Sequence, residues 1–285
     1  DVYKRQGVTR NPEVTFGDTL EGDLVRRDFA CNAMAIELSL VDGALAPTFH
    51  DPVNGLADLV VGVLDTPQAP EVSFRDDPLR MLRAARFVSQ LGFTVADRVF
   101  DAMRDMAGEI QRITVERVQA ELDKLMLGAR PWEGIDLLVA TGIAEYILPE
   151  IPALQLETDE HMQHKDVYRH SLTVLRQATE LEDSDEGPDL KLRWAALMHD
   201  IGKPATRAPK EGGGVTFYHH EVVGAKMTRK RLKALKYPKH VVSDVGQLVF
   251  LHMRFHGFGE GQWTDSAVRR YVCLLYTSPS PRDAT

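Results

Sequence analysis

From Asp77 onward the apolar residues recur at helical spacing, and that pattern restricts most of the chain to α-helix. In DPLRMLRAARFVSQLGF the residues Leu79, Leu82, Ala85, Phe87 and Val88 share one broad face, and Gly92 marks its end. The same reading predicts helices over Ala96 to Ala107, Thr114 to Leu127, Pro131 to Thr141, Tyr168 to Glu182 and Leu190 to His199. DSDEGPD at 183 to 189 and KEGGGV at 210 to 215 separate helices as loops. The first sixty-odd residues differ, because short apolar runs there alternate with turn signals. Val14, Phe16, Val60, Val61 and Val63 predict short strands, and Pro52, Asn54 and Gly55 a turn. The expected fold class is α+β overall and mostly α: the end of an α/β unit followed by an all-α remainder.

With 285 residues and 44% hydrophobic content, the chain has material for about two domains of ordinary size. No apolar run approaches the roughly 20 residues needed to cross a bilayer, and DVYKRQGVTR lacks the apolar core of a signal peptide. The expectation is a soluble cytoplasmic protein that meets no membrane. Cys31 and Cys273 stand far apart without metal-ligand spacing, which suggests neither a disulfide framework nor a zinc ribbon. A net charge of -8 argues against coating nucleic acid through bulk charge. Local charge is another matter: Lys226, Arg229, Lys230, Arg231, Lys233, Lys236 and Lys239 follow one another with no acidic residue between. Centred on Lys230, Arg231 and Lys233, this stripe is either an RNA contact or a solvated helix face.

Three stretches carry candidate chemistry. LVRRDFACNAMAI is either a helix start capped by Asp28 or a site where Arg27 grips phosphate while Asp28 and Asn32 hold sugar hydroxyls. FRDDPLRMLRAARF places Asp77 and Arg80 one turn apart, either as a cap with an ion pair or as a hydrogen-bonding edge for a nucleobase. All of the ten histidines but His50 lie between residues 161 and 256, with His199-Asp200 ending an apolar helix downstream of His170 and upstream of His219, His220 and His252. Imidazole and carboxylate together suit a divalent metal acting on a phosphate ester; the alternative is a degenerate helical scaffold.

Taken together and in order, RRDFACNAMAI, DPVNGLADL, DDPLRMLRAARF and ERVQAELDKLM closely resemble the class II tRNA nucleotidyltransferase and bacterial poly(A) polymerase family. HKDVYRHSLTVL, RWAALMHDIGKPATR, FYHHEVVGA and LHMRFHGFGEGQWTDSAVRRYV resemble the HD domain of actinobacterial CCA-adding enzymes, so the likeness runs from Gly7 to Val272. It implies a partial nucleotidyltransferase head over 7–70, a helical nucleotide- and tRNA-binding neck over 71–152 and an HD domain over 153–272. The ends, 1–6 and 273–285, look like sequencing-adapter read-through and are expected to be non-native, the chain being an internal piece of a longer protein.

By resemblance, Arg27, Asp28 and Asn32 surround the ribose and triphosphate of an incoming nucleotide. Asp51, Gly55 and Asp58 form a hinge. Asp77 and Arg80 read the incoming base, with Asp76 where the family usually has Glu, and Glu116, Arg117, Glu121 and Lys124 brace them. In the HD unit His170, His199 and Asp200 are implied metal ligands, Lys203 faces phosphate, and His220 is a further ligand. A fourth expected ligand is left open between Asp244 and Asp265. The implied partners are the tRNA 3′ end, CTP and ATP; the sequence specifies no protein partner. The implied cofactors are Mg2+ for nucleotidyl transfer and a divalent metal at the HD site. The family holds its Mg2+ on an Asp-x-Asp pair in an early strand, and no such strand occurs here, so no catalytic residue is assigned and this chain is expected to add no nucleotide by itself. The expected function is that of a fragment of a template-independent CCA-adding enzyme. Alternatives are a poly(A) polymerase, an HD-type phosphohydrolase or an RNA-binding scaffold.

Overall fold

The computed structural model describes residues 19–156, 166–182, 185, 187–209 and 214–255. Val14, Phe16, Cys273, Asp265 and both adapter-like ends lie outside them. The N-terminal part holds α1 (Leu20–Val25), a 3-10 turn (Ala30–Asn32), the antiparallel hairpin β1 (Ala35–Val41) and β2 (Ala44–His50), α2 (Gly55–Val61) and β3 (Val63–Leu64). Asp42 and Gly43 join the hairpin with φ of 52° and 81°, the left-handed pair that a two-residue turn needs.

Two local expectations give way here. LVRRDFACNAMAI is not a helix start: α1 has ended, and the segment runs through the 3-10 turn into β1. The Asp28 carboxylate accepts from the Asn32 amide and Arg83 instead of capping a helix, and Phe29 and Ala33 are fully buried. Val60 and Val61 lie in α2, with strand confined to Val63–Leu64. Asp51 accepts from the backbone N–H groups of Gly55 and Leu56, and that cap outweighs the β propensity of two valines. Gly55 is required, because a Cβ there would sit 1.9 Å from the Ala30 carbonyl oxygen.

The helical part continues with α3 (Pro70–Asp76), α4 (Leu79–Leu91), β4 (Thr94–Val95, parallel to β3), α5 (Asp97–Asp105), α6 (Val115–Met126), α7 (Pro131–Ala140) and α8 (Ala144–Ile147). It then adds α9 (Val167–Glu180), α10 (Leu190–Met198), α11 (Lys203–Thr206), the short pair β5 (Ala208–Pro209) and β6 (Val215–Thr216), α12 (His220–Ala234) and α13 (Lys239–Leu251). The five helices expected downstream of Gly92 fall within two residues of their expected bounds. The fold is α+β and mostly helical, and among the described residues no helix is long and apolar enough to cross a membrane.

One apolar core runs without a break from α4 through α6 and α7 into α9, α10, α12 and α13, by way of Met81, Leu122, Leu138, Tyr168, Trp194 and Val245. Polar contacts stitch the same joint. Arg193 of α10, buried, donates to the carbonyls of Met126 and Gly128 at 2.6 Å each and to Glu182 at 2.6 and 2.8 Å. Tyr168 donates to Asp136 at 2.7 Å, and Arg231 grips Glu150 at 2.8 to 3.0 Å. The two helical layers are therefore packed as one body.

Candidate functional site

Two clusters of side chains carry chemistry. The first forms where α4 crosses the turn after α1. Asp28 is buried, its Oδ1 accepting from Asn32 Nδ2 at 3.0 Å and its Oδ2 from Arg83 Nε at 2.6 Å. Asn32 Oδ1 is buried with no hydrogen-bond partner among the described residues, an acceptor still open to a donor. Arg27 is exposed, with its guanidinium 3.5 Å from Asp23. One turn before Arg83 on α4, Arg80 donates to Ser73 Oγ at 2.7 Å and to the Arg26 carbonyl at 2.6 Å. Arg80 and Arg83 thus clasp the Arg26–Asp28 segment, so two motifs far apart in sequence meet on one surface.

Asp77 sits between α3 and α4. Its Oδ1 accepts from the Leu79 N–H at 3.2 Å and its Oδ2 from Arg117 at 2.8 Å. Each carboxylate oxygen keeps a lone pair free. Asp76 is exposed. Glu121 is buried against Arg86 at 2.9 Å and also meets Lys124 at 3.3 Å. Glu116 stands apart from these braces: it pairs with Lys236, at the turn between α12 and α13. Of the implied hinge, Asp51 and Gly55 define the start of α2. Asp58 lies within α2, its carboxyl raised by burial and by Asp65 and Asp51, against the pull of Arg98.

The second cluster centres on Asp200, which is buried. Asp200 Oδ2 lies 3.0 Å from His199 Nε2, 3.0 Å from Lys203 Nζ and 4.0 Å from His170 Nε2. Its Oδ1 lies 3.3 Å from His220 Nε2 and 3.8 Å from His252 Nε2. Three imidazoles are aimed in the same way. The Nδ1 atoms of His199, His220 and His252 lie 2.9, 2.9 and 2.6 Å from the carbonyls of Ala196, Phe217 and Val249. A carbonyl can only accept, so each Nδ1 carries the hydrogen and each Nε2 turns a lone pair to the centre. His220 and His252 then face one another, Nε2 to Nε2, at 3.2 Å beside a carboxylate oxygen.

Converging lone pairs of this kind call for a cation, either a proton or a metal ion. Burial alone would raise the Asp200 carboxyl, but His199 and His220, which donate to it from Nε2 once a proton is bound there, and the charge of Lys203 hold it far below the usual carboxylate range. Burial pulls the His220 imidazole down, and its bond to Asp200 more than reverses that. Burial holds His252 down at about 4. Nitrogen and carboxylate donors in this mix suit a divalent transition metal, and His170, His199 and Asp200 form one ligand group while Asp200, His220 and His252 form another. Gly202 lets the turn after Asp200 lie against the start of α12, since a Cβ there would meet the His220 carbonyl oxygen at 2.2 Å.

Not every expected residue joins a site. Asp244 is held by Lys191 at 2.7 Å and belongs to neither ligand group, whereas His252 joins one of them; Asp265, the other candidate for a fourth ligand, lies outside the described residues. Arg231 is withdrawn from the basic stripe by its bidentate bond to Glu150, while Lys230 and Lys233 remain exposed on α12. Arg83 and Ser73 were missed by the sequence reading, although Arg83 had a signal, lying one turn beyond Arg80; His252 strengthened the HD signal but was assigned no ligand role.

A helical scaffold thus carries a carboxylate and guanidinium cluster at one joint and an HD-type His and Asp cluster at another. Three family models match the chain: the poly(A) polymerase head domain over residues 2–65, a probable RNA- and SrmB-binding site of polymerase A over 92–154, and the HD domain over 167–275. It is 37% identical over 87% of its length to an A-adding tRNA nucleotidyltransferase of Deinococcus radiodurans, covering 56% of that protein. It is 33% identical over 85% of its length to a multifunctional CCA protein of Neisseria gonorrhoeae, covering 56% of it. The fold is shared with a tRNA nucleotidyltransferase solved with a primer tRNA and an incoming ATP analogue, at a TM-score of 0.60 and 23% identity, over 91% of this chain and 67% of that one. The chain belongs to the CCA-adding and poly(A) polymerase family of nucleotidyltransferases. It spans little more than half the length of the curated relatives it matches.

Proposed function

We propose that this chain supplies the nucleotide-selecting and tRNA-holding part of an enzyme that adds CTP and ATP to the tRNA 3′ end. The observation that carries this reading is the clasp of Arg80 and Arg83 on the Arg26–Asp28 segment, with Asp77 oriented beside it by Arg117. On this reading the Asp77 carboxylate accepts from the exocyclic amine of cytosine or adenine. Arg80 donates to the ring acceptors, N3 and O2 of C or N1 of A. Asp28 and Asn32 hold the ribose, the open Asn32 Oδ1 receiving a hydroxyl proton, and Arg27 meets the triphosphate. Asp51, Gly55 and Asp58 let the pocket change between the two bases. The division into head (7–70), neck (71–152) and HD unit (153–272) belongs to the same proposal. Lys230 and Lys233 of α12 meet the RNA backbone.

Nucleotidyl transfer needs Mg2+ held by an Asp-x-Asp pair, whose chemistry is to neutralise the triphosphate and activate the 3′-hydroxyl. This sequence contains no such pair on an early strand, so the chain alone selects nucleotide without adding it. The test extends the chain with the upstream core from its parent gene and assays incorporation on tRNA lacking its 3′ end. Addition of C, C and A supports the CCA reading. A single A points to the specificity named for the Deinococcus relative, and a run of A to a poly(A) polymerase. Incorporation by the unextended chain refutes the missing-carboxylate step.

A second reading is supported by the Asp200 cluster: a metal-dependent phosphohydrolase. His170, His199, Asp200, His220 and His252 would hold the metal, which supplies Lewis-acid chemistry on a phosphate ester. Lys203 stands beside them. Phosphodiester hydrolysis that requires added divalent metal and vanishes in Asp200→Ala supports it. Metal binding without hydrolysis leaves the cluster a structural element.

A further inference from the structure

We propose that Lys236 and Tyr237, at the turn between α12 and α13, are positioning residues for base selection: through α6 they set the orientation of Asp77. This rests on the reading of Asp77 as the base-reading carboxylate. α6 carries Arg117, which donates to Asp77 Oδ2 at 2.8 Å, and Glu121, which holds Arg86 of α4 at 2.9 Å. A helix whose side chains orient a carboxylate has to be fixed both along and about its own axis.

The HD side supplies that fixing. Glu116, next to Arg117, pairs with Lys236, and Asp123 accepts from the Tyr237 hydroxyl at 2.5 Å. Glu116 and Asp123 are two turns apart on one face of α6, so consecutive residues of the HD unit grip the helix near its start and near its end. Arg193 adds a third anchor on the carbonyls just beyond, at Met126 and Gly128.

The gripping turn is itself specialised. Lys236 holds a left-handed backbone with φ of 62°, a conformation a lysine adopts at a cost that glycine would not incur. The Lys236 and Tyr237 N–H groups close α12 on the carbonyls of Lys233 and Leu232 at 3.0 Å each. The Tyr237 ring packs edge-on against the fully buried Trp194, centroids 5.9 Å apart. Its hydroxyl is thereby delivered to Asp123 by a rigid wall. His220 and His252 lie at the other end of the α12–α13 hairpin, so this turn is separate from the metal-ligand cluster.

The test is nucleotide selection by the chain extended with its upstream core, read as the ratio of kcat/KM for ATP to that for GTP. Tyr237→Phe combined with Lys236→Met is expected to lower this ratio about tenfold, mainly through KM for ATP. The kcat for ATP should stay within about twofold. Asp123→Asn keeps an oxygen acceptor for Tyr237 and should retain discrimination, whereas Asp123→Leu should lose it. Lys236→Glu should lose part of it and the exchange Lys236→Glu with Glu116→Lys regain it, which a general loss of stability does not mimic. Lys236 is exposed, so Lys236→Glu carries the same expectation should the Tyr237 variant melt below the assay temperature. An unchanged ratio in these variants, with discrimination abolished by Asp77→Ala, overturns the positioning role alone. An unchanged ratio in Asp77→Ala overturns the base-reading assignment and this inference with it.

Discussion

Replacing Arg193 by leucine tests whether the neck and HD layers stand or fall together. The guanidinium is buried and makes four hydrogen bonds, two to the Glu182 carboxylate and two to the carbonyls of Met126 and Gly128 at the end of α6. Removing it leaves Glu182, whose side chain is 9% exposed, as an uncompensated buried charge, at a cost of about 3–5 kcal/mol. Two orphaned carbonyls add about 1 kcal/mol each, and the leucine returns about 1.5 kcal/mol by burial. The net loss is about 4 kcal/mol, which for a chain of this size lowers Tm by about 8–16 °C. Urea unfolding followed by tryptophan fluorescence and circular dichroism measures it, since Trp194 is buried at this joint. One transition should move to lower urea with its slope unchanged. The double variant Arg193→Leu with Glu182→Leu should regain about 3 kcal/mol or more, because it removes the stranded charge. A loss below about 1 kcal/mol refutes the reasoning, as does strict additivity of the two substitutions.

Further outcomes follow from the same geometry. Gly55→Ala should destabilise the chain by about 2 kcal/mol or more in thermal melts, because its Cβ would lie 1.9 Å from the Ala30 oxygen and α2 would have to lift away. Burial, with Asp28 and Asp58 nearby, pushes the Cys31 thiol up to about 11. Between pH about 9 and 11 the unfolded chain therefore loses a thiol proton that the folded chain keeps, so stability should fall with rising pH by about 2 kcal/mol, a slope Cys31→Ala should flatten in denaturation series. Charge reversal at Lys230 and Lys233 should weaken tRNA binding and reduce its salt slope by about 1 per site. Arg231→Glu should instead lower stability by stranding Glu150, which equilibrium unfolding will separate from binding. Asp200→Ala should abolish Mn2+ binding measured by calorimetry, since both ligand groups share that carboxylate; retained stoichiometric binding would place the metal elsewhere.

How much of this was legible in the sequence depended on the range of the interaction. Helices α4 to α7, α9 and α10 were readable because their periodicity, start and stop signals are local. α2 was misread because Val60 and Val61 advertise strand, while the decisive contact, Asp51 to Gly55, belongs to a capping turn just upstream. The HD cluster was readable as far as His199 and Asp200 are adjacent and His170 and His220 fall in recognisable motifs. His252 was not assigned, because what makes it a partner is a fold that brings the end of α13 beside the start of α12. The basic stripe is thinned for the same reason in reverse. Its seven cations look uninterrupted along the chain, yet Glu150 and Glu116, both remote in sequence, neutralise Arg231 and Lys236. Charge that looks available in one dimension is thus divided in three: Lys230 and Lys233 stay exposed, while Arg231 and Lys236 are tied to Glu150 and Glu116. That division leaves a single helix hairpin with charge outward on α12 and, at its turn, the two contacts to α6 on which the proposed positioning of Asp77 rests.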